Sequence, residues 1–155
     1  MLIIFDLDDT LIDTSGSILP GILKNALKAM EEEGFALKNF EYSYKELLQL
    51  NTFHISSEAA LREFLEINQA PEGCLEVGLR EIYEAPQFNH PIQAIEDGVE
   101  VLEKLSQEHQ LALVTKGKEK IQREKMKHAG ISTQFFTRLY FCEDGDKKKA
   151  YQKVS

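Results

Sequence analysis

Ile3-Ile4-Phe5-Asp6-Leu7-Asp8-Asp9-Thr10-Leu11-Ile12 is the stretch whose reading decides the fold. Leu2 to Phe5 is a short apolar run with β-branched members, closed by Asp6. A run that is apolar on both faces is predicted to be a strand buried in a parallel sheet. It passes straight into two carboxylates placed two residues apart. Side chains alternate along a strand, so Asp6 and Asp8 can face one pocket. In open α/β sheets that pocket lies beyond the carboxyl ends of the strands. Two anions held there repel each other and call for a cation, and oxygen ligands suit Mg²⁺. One carboxylate can then act as nucleophile and the other as acid and base. Taken alone, an Asp-x-Asp pair reads more readily as two loop carboxylates capping backbone N–H groups.

Downstream, Asp8 to Ser17 is rich in Asp, Thr, Ser and Gly and reads as loop. From Leu19 to Gln87 the pattern is helical. Pro20 suits a first turn and Gly34 a stop, with Ile22, Leu23, Ala26, Leu27 and Met30 at helical spacing between them. A second helix is predicted over Tyr44 to Leu50. A third is capped by Ser57 and carries the stripe Leu61, Phe64, Leu65, and a fourth carries Leu75, Leu79, Ile82 and Tyr83. Pro86 to Pro91 reads as a linker.

The pattern then changes. Gly98 to Gln107 is predicted as a helix, Leu111 to Val114 as a strand ending at Thr115, and Lys118 to Ala129 as a helix closed by Gly130. Leu139 to Cys142 is a third strand, followed by the acidic turn Glu143 to Asp146 and a helix opened by Lys147. This βαβ alternation makes the fold class α/β with a parallel sheet. Lys116, Lys118, Lys120, Arg123, Lys125 and Lys127 read as a solvated basic helix face, with a phosphate-attracting rim as the alternative.

The chain has 155 residues, 43% of them hydrophobic and 28% charged, which is ordinary globular composition and fits one domain with an inserted lobe. Its formal net charge of −8 repels nucleic acid and anionic lipid, so neither is an expected partner. Two cysteines, Cys74 and Cys142, are too few for a disulfide scaffold and suit a reducing cytoplasm. No apolar run approaches the roughly 20 residues of a membrane helix. The start also lacks the basic residues and long apolar run of a secretory signal. A cytoplasmic protein is expected.

Asp6-Leu7-Asp8-Asp9-Thr10-Leu11, after four apolar residues, resembles motif I of the haloacid dehalogenase-like (HAD) hydrolase superfamily. Leu111-Ala112-Leu113-Val114-Thr115 resembles motif II, an apolar strand ending in Thr or Ser. Lys147, in Asp146-Lys147-Lys148-Lys149, resembles the lysine of motif III. The helical insert is similar to a C1 cap. The resemblance covers essentially the whole chain and implies a Rossmann-like parallel-sheet core with an inserted helical cap. The core is expected over residues 1–14 and 92–155, incomplete at its C-terminal end, and the cap over 15–91. Motif IV, an acidic pair after a fourth strand that completes the Mg²⁺ site, has no match. A C-terminally truncated form of a longer enzyme is therefore expected.

The resemblance also implies roles. Asp6 is the expected nucleophile, forming an aspartyl-phosphate. Asp8 is the expected acid and base. A carboxylate oxygen of Asp6 and the backbone carbonyl of Asp8 are the expected Mg²⁺ ligands. Thr115, Lys116 and Lys147 are the expected phosphate-binding residues, with Lys148 and Lys149 left as alternatives to Lys147. A carboxyl group at Asp8 points to phosphoryl transfer rather than dehalogenation, since a leaving halide needs no proton. The expected activity is Mg²⁺-dependent hydrolysis of a small phosphomonoester, such as a sugar phosphate or nucleotide. A non-catalytic fragment or pseudoenzyme and a phosphomutase are the alternatives. Asp9, Asp13 and Thr14 are expected to shape the loop. Cys74 and the histidines 54, 90, 109 and 128 show no ligand spacing. Phe53, His54 and Arg62 read as cap packing or surface, with substrate contact as the alternative. The lobe is expected to close over Asp6 on hinges near Ser15 to Ser17 and Pro86 to Pro91. Without its missing neighbours the first strand is expected to be a bare sheet edge that invites self-association.

Overall fold

The structure is a computed structural model describing residues 1–154. By contacts the chain divides into two units: residues 1–18 with those from 90 onward, and residues 19–89.

The first unit holds a three-stranded parallel sheet in the order β1 (Leu2–Phe5), β2 (Gln110–Lys116), β3 (Arg138–Cys142). Leu2 pairs with Gln110 and Phe5 with Leu113; Thr115 pairs with Phe141 and Lys116 with Cys142. All three strands point the same way. The residues that follow β1, end β2 and follow β3 are therefore gathered at the carboxyl end of the sheet, and these are Asp6, Thr115 and the turn before Lys147.

β2 is the middle strand, and Leu111, Ala112, Leu113, Val114 and Thr115 are all fully buried. Such an uninterrupted apolar run is what a parallel strand covered on both faces requires. α8 (Lys148–Val154) sets Ala150 and Val154 against Ala112, Val114 and Cys142. The Arg138 guanidinium donates to the Val154 carbonyl at 2.9 Å and so satisfies a backbone acceptor at the end of that helix. α6 (Gly98–Glu108) buries Leu102, and α7 (Glu119–His128) buries Gln122 and Met126. Gly130, at a φ of 72°, closes α7, and the Ile131 N–H donates back to the Met126 carbonyl.

β1 departs from its sequence reading. It is not buried on both faces: Ile4 is 38% exposed and the other three residues are partly covered. Its only pairing partner among the described residues is β2, so it lies at the sheet edge. The loop after it also contains a single helical turn, α1 (Thr14–Ser17), with Asp13 accepting from the Gly16 N–H at 2.9 Å.

The second unit consists of α2 (Leu19–Glu32), α3 (Phe40–Phe53), α4 (Ser57–Ile67) and α5 (Cys74–Leu79), the last continuing as a π turn over Arg80–Glu84. Ile22, Leu23, Ala26, Leu27, Met30, Leu47, Leu61 and Phe64 are buried, and Phe35 meets Phe64 edge-on at 6.1 Å between ring centres. α3 begins four residues earlier than the predicted Tyr44, because Asn39 caps it by accepting from the Tyr42 N–H at 2.9 Å. α4 is capped by Ser56 rather than Ser57, with Ser56 Oγ accepting from the Ala59 N–H at 3.2 Å.

Candidate active site

The turn after β1 is built on its apolar members. Leu7 and Ile12 are fully buried and Leu11 is nearly so. The Leu7 carbonyl accepts from the N–H groups of Leu11 and Ile12 at 2.9 and 3.1 Å, which folds the chain tightly back on itself. With those three side chains in the core, the carboxylates between and beside them are left at the carboxyl end of the sheet. Asp9, at a φ of 53°, accepts from the N–H and the hydroxyl of Ser15 at 2.8 and 2.7 Å. It shapes the loop, as its neighbour Asp13 does.

Asp6 Oδ1 accepts from the Leu7 N–H at 2.7 Å, and Asp6 Oδ2 pairs with Lys147 Nζ at 2.5 Å. Of the three lysines that the sequence leaves open, Lys147 is the one that meets Asp6. Lys148 instead begins α8, its N–H donating to Asp146 Oδ1 at 2.9 Å. Lys149 lines an open hollow with Tyr140 and Asp146.

Asp8 has three partners. Its Oδ1 accepts from Thr14 Oγ1 at 2.6 Å and from Lys125 Nζ at 2.8 Å, and its Oδ2 accepts from Gln122 Nε2 at 2.8 Å. Burial pushes the Asp8 carboxyl up, but the Lys125 ammonium with the Thr14 and Gln122 hydrogen bonds outweighs it and holds the group below the usual aspartate value. Asp8 is therefore a carboxylate at neutral pH. Thr115 is fully buried at the end of β2, where its Oγ1 accepts from Gln122 Nε2 at 2.7 Å. Lys116, the next residue, is exposed, and its stem runs along Gly145, where a Cβ would come within 2.8 Å of Lys116 Cε.

The structure thus brings Asp6 and Lys147 into contact and joins Asp8 to Thr115 through Gln122. Gln122 and Lys125 were missed by the sequence reading, which assigned Lys125 to a solvated basic face. That assignment is corrected: the Lys125 side chain is only 13% exposed and is paired with Asp8. Lys118, Lys120 and Lys127 are exposed as read. The available signal was Gln122, a polar residue one turn before Met126 on the buried stripe of α7. The cysteines are not candidates, since burial pushes both thiols up, away from the thiolate. His54 is paired with Glu63, and Arg62 with Glu58 at 2.7 Å.

Among the described residues no group of three or more His, Cys, Asp or Glu is placed to hold a metal ion. Asp6 and the Asp8 carbonyl are hard oxygen donors of the kind Mg²⁺ takes. That ion commonly sits on one or two carboxylates and keeps waters or substrate phosphate for its other positions, so this donor set fits it. No helix among the described residues is long and apolar enough to cross a membrane.

The family described as haloacid dehalogenase-like hydrolase matches residues 3–154. Among solved structures the chain is similar to a haloacid dehalogenase-like family hydrolase from Xanthomonas campestris, at 20% identity and a TM-score of 0.55, covering 99% of this chain and 67% of that one. A predicted phosphoglycolate phosphatase from Haemophilus somnus is 18% identical with a TM-score of 0.63, covering 92% of this chain and 62% of that one. A protein from Bacillus subtilis described as a HAD-hydrolase, bound to magnesium, is 19% identical with a TM-score of 0.54, covering 99% and 69%. This chain therefore spans 62 to 69% of the length of these structures. No curated protein matches it significantly.

Proposed function

We propose, on the premise that this chain belongs to the haloacid dehalogenase-like hydrolase family, that its site hydrolyses a small phosphate monoester through a phosphoryl group carried on Asp6. The observation that carries the reading is Asp8. It places a second carboxylate, held by three donors, two residues after the one that Lys147 engages. A phosphate ester leaves as an alkoxide that needs a proton, and a group able to carry one is the requirement such a site must meet.

An Asp6 oxygen attacks phosphorus, the bond from phosphorus to the ester oxygen breaks, and Asp8, a carboxylate in the free site that takes up a proton from solvent when the anionic phosphate beside it raises its affinity for one, gives that proton to the ester oxygen. Asp8, now a carboxylate, takes a proton from water as the water oxygen attacks phosphorus. The bond to Asp6 breaks, releasing phosphate and restoring both carboxyl groups. Lys147 neutralises charge at Asp6 as the phosphate approaches, and Thr115 offers its hydroxyl to a phosphoryl oxygen. Lys116 adds positive charge at the mouth of the site. Asp6 and the Asp8 carbonyl are the groups that would hold Mg²⁺, which when bound supplies further charge neutralisation.

The test is turnover of p-nitrophenyl phosphate with Mg²⁺ by the chain and by Asp6→Asn, a nearly isosteric change that removes the attacking carboxylate. The variant is expected to lose more than about tenfold in kcat, a barrier change above roughly 1.4 kcal/mol. A smaller loss would remove Asp6 as the nucleophile. A folded chain with no Mg²⁺-dependent turnover would favour a non-catalytic role.

A further inference from the structure

We propose that Gln122 and Lys125 are positioning residues, one face of α7 holding both the Asp8 carboxylate and the Thr115 hydroxyl in the geometry that phosphoryl transfer requires. The inference rests on the phosphate-ester reading above.

Gln122 and Lys125 are three residues apart and share one side of the helix. Gln122 is 2% exposed, and its amide has two N–H bonds to satisfy. Nε2 lies 2.8 Å from Asp8 Oδ2 and 2.7 Å from Thr115 Oγ1, so one proton goes to each. A hydroxyl that accepts from Gln122 keeps its own hydrogen to donate, and a phosphoryl oxygen needs such a donor. The same amide therefore sets the direction of the Thr115 donor and the plane of the Asp8 carboxylate. Lys125 Nζ meets the other carboxylate oxygen at 2.8 Å, opposite Gln122. With Thr14 on that same oxygen, both Asp8 oxygens are held and the group cannot turn freely.

The local backbone accommodates the device. Gly117, at a φ of 130°, precedes α7, and a Cβ at that position would come within 3.3 Å of Gln122 Cδ. The side chain that reaches Asp8 and Thr115 passes over a residue with no side chain of its own. A buried amide and a nearly buried ammonium are costly unless bonded, and every partner they have here belongs to the proposed site.

The test uses the 155-residue chain with Gln122→Met, Lys125→Met, Lys125→Arg and the double Met variant, assayed on p-nitrophenyl phosphate with Mg²⁺. Each Met variant is expected to lower kcat about tenfold or more while KM moves less than about threefold, because the groups orient the chemistry and do not hold substrate. The double variant is expected to lose less than the product of the single losses, since both act through Asp8. Lys125→Arg, which keeps charge and donor, is expected to recover most of kcat. Lys127→Met, exposed on the same helix, is the control and is expected to match the parent chain.

Met variants with kcat within about threefold of the parent, or with the loss falling on KM alone, would overturn the inference. If the Met variants do not fold, the kcat of Lys125→Arg and the side-chain NMR signals decide it. The Lys125 ammonium and Gln122 amide protons are expected to be protected from exchange and to shift in Asp8→Asn. If the parent and Asp6→Asn turn over equally, the phosphatase reading falls, and those signals judge the positioning separately. Freely exchanging signals that ignore Asp8→Asn would overturn it.

Discussion

Asp6 and Asp8 stand two residues apart on one turn and meet different surroundings. Asp6 is held by a backbone N–H and one lysine, with its side chain 40% exposed. Asp8 has three side-chain donors, and its carboxyl lies below the ordinary aspartate value of 3.8. A depressed value in the folded state means that the folded protein binds this proton less tightly than the unfolded chain. The stabilisation from Asp8 is therefore full above the ordinary aspartate range and is lost as pH falls through the lower folded value. In chelator, thermal midpoints of the parent chain are expected to fall as pH drops below the ordinary aspartate value of 3.8, and those of Asp8→Asn to fall less steeply over the same range. Parallel curves for the two proteins would show that Asp8 and its partners do not contribute to acid unfolding.

At the scale of elements, helix ends are where the local reading and the structure part most clearly. Ser56 and Ser57 are both competent caps by composition. The structure selects Ser56, extended in backbone and bonded to the Ala59 N–H, while Ser57 lies inside the helix and is buried. Ser56→Ala is expected to destabilise the helical unit by about 1 kcal/mol, and Ser57→Ala by less than half of that. Denaturant midpoints of the two variants measure it, and equal losses would return the cap to an unresolved choice. α7 shows the same limit. Its mix of Lys, Arg and Glu reads as a water-facing surface, yet Gln122 and Lys125 turn inward. A long aliphatic stem lets a lysine reach across its own helix side to a distant carboxylate.

For the whole molecule, the order β1-β2-β3 leaves β1 with one paired side among the described residues. Ile4 is the apolar side chain it exposes most. An edge of this kind offers unpaired N–H and C=O groups to another strand. The 155-residue chain alone in solution is expected to self-associate through β1, and Ile4→Lys to shift it toward monomer. Sedimentation at several concentrations decides this. A parent chain that is monomeric throughout would exclude the edge as a contact.

What the sequence by itself determined is the set of elements and their class. Strands ending in Asp6, Thr115 and Cys142, each followed by a polar turn, are visible because burial imposes a local pattern on a few consecutive residues. The same holds for the helical stripe of α2, where spacing alone picks out the buried side chains, whereas in the last helical segment Ile82 of the predicted stripe is buried but Tyr83 is 44% exposed. Only the tertiary structure decided which side chains meet at the carboxyl end of the sheet. Lys147 reaches Asp6 across 141 residues, and Gln122 and Lys125 reach Asp8 across 114 and 117. Contacts over such separations depend on the register of three parallel strands and on how α7 and the turn before α8 are docked against them. No window of neighbouring residues encodes that register, because it is set by the packing of the assembled sheet.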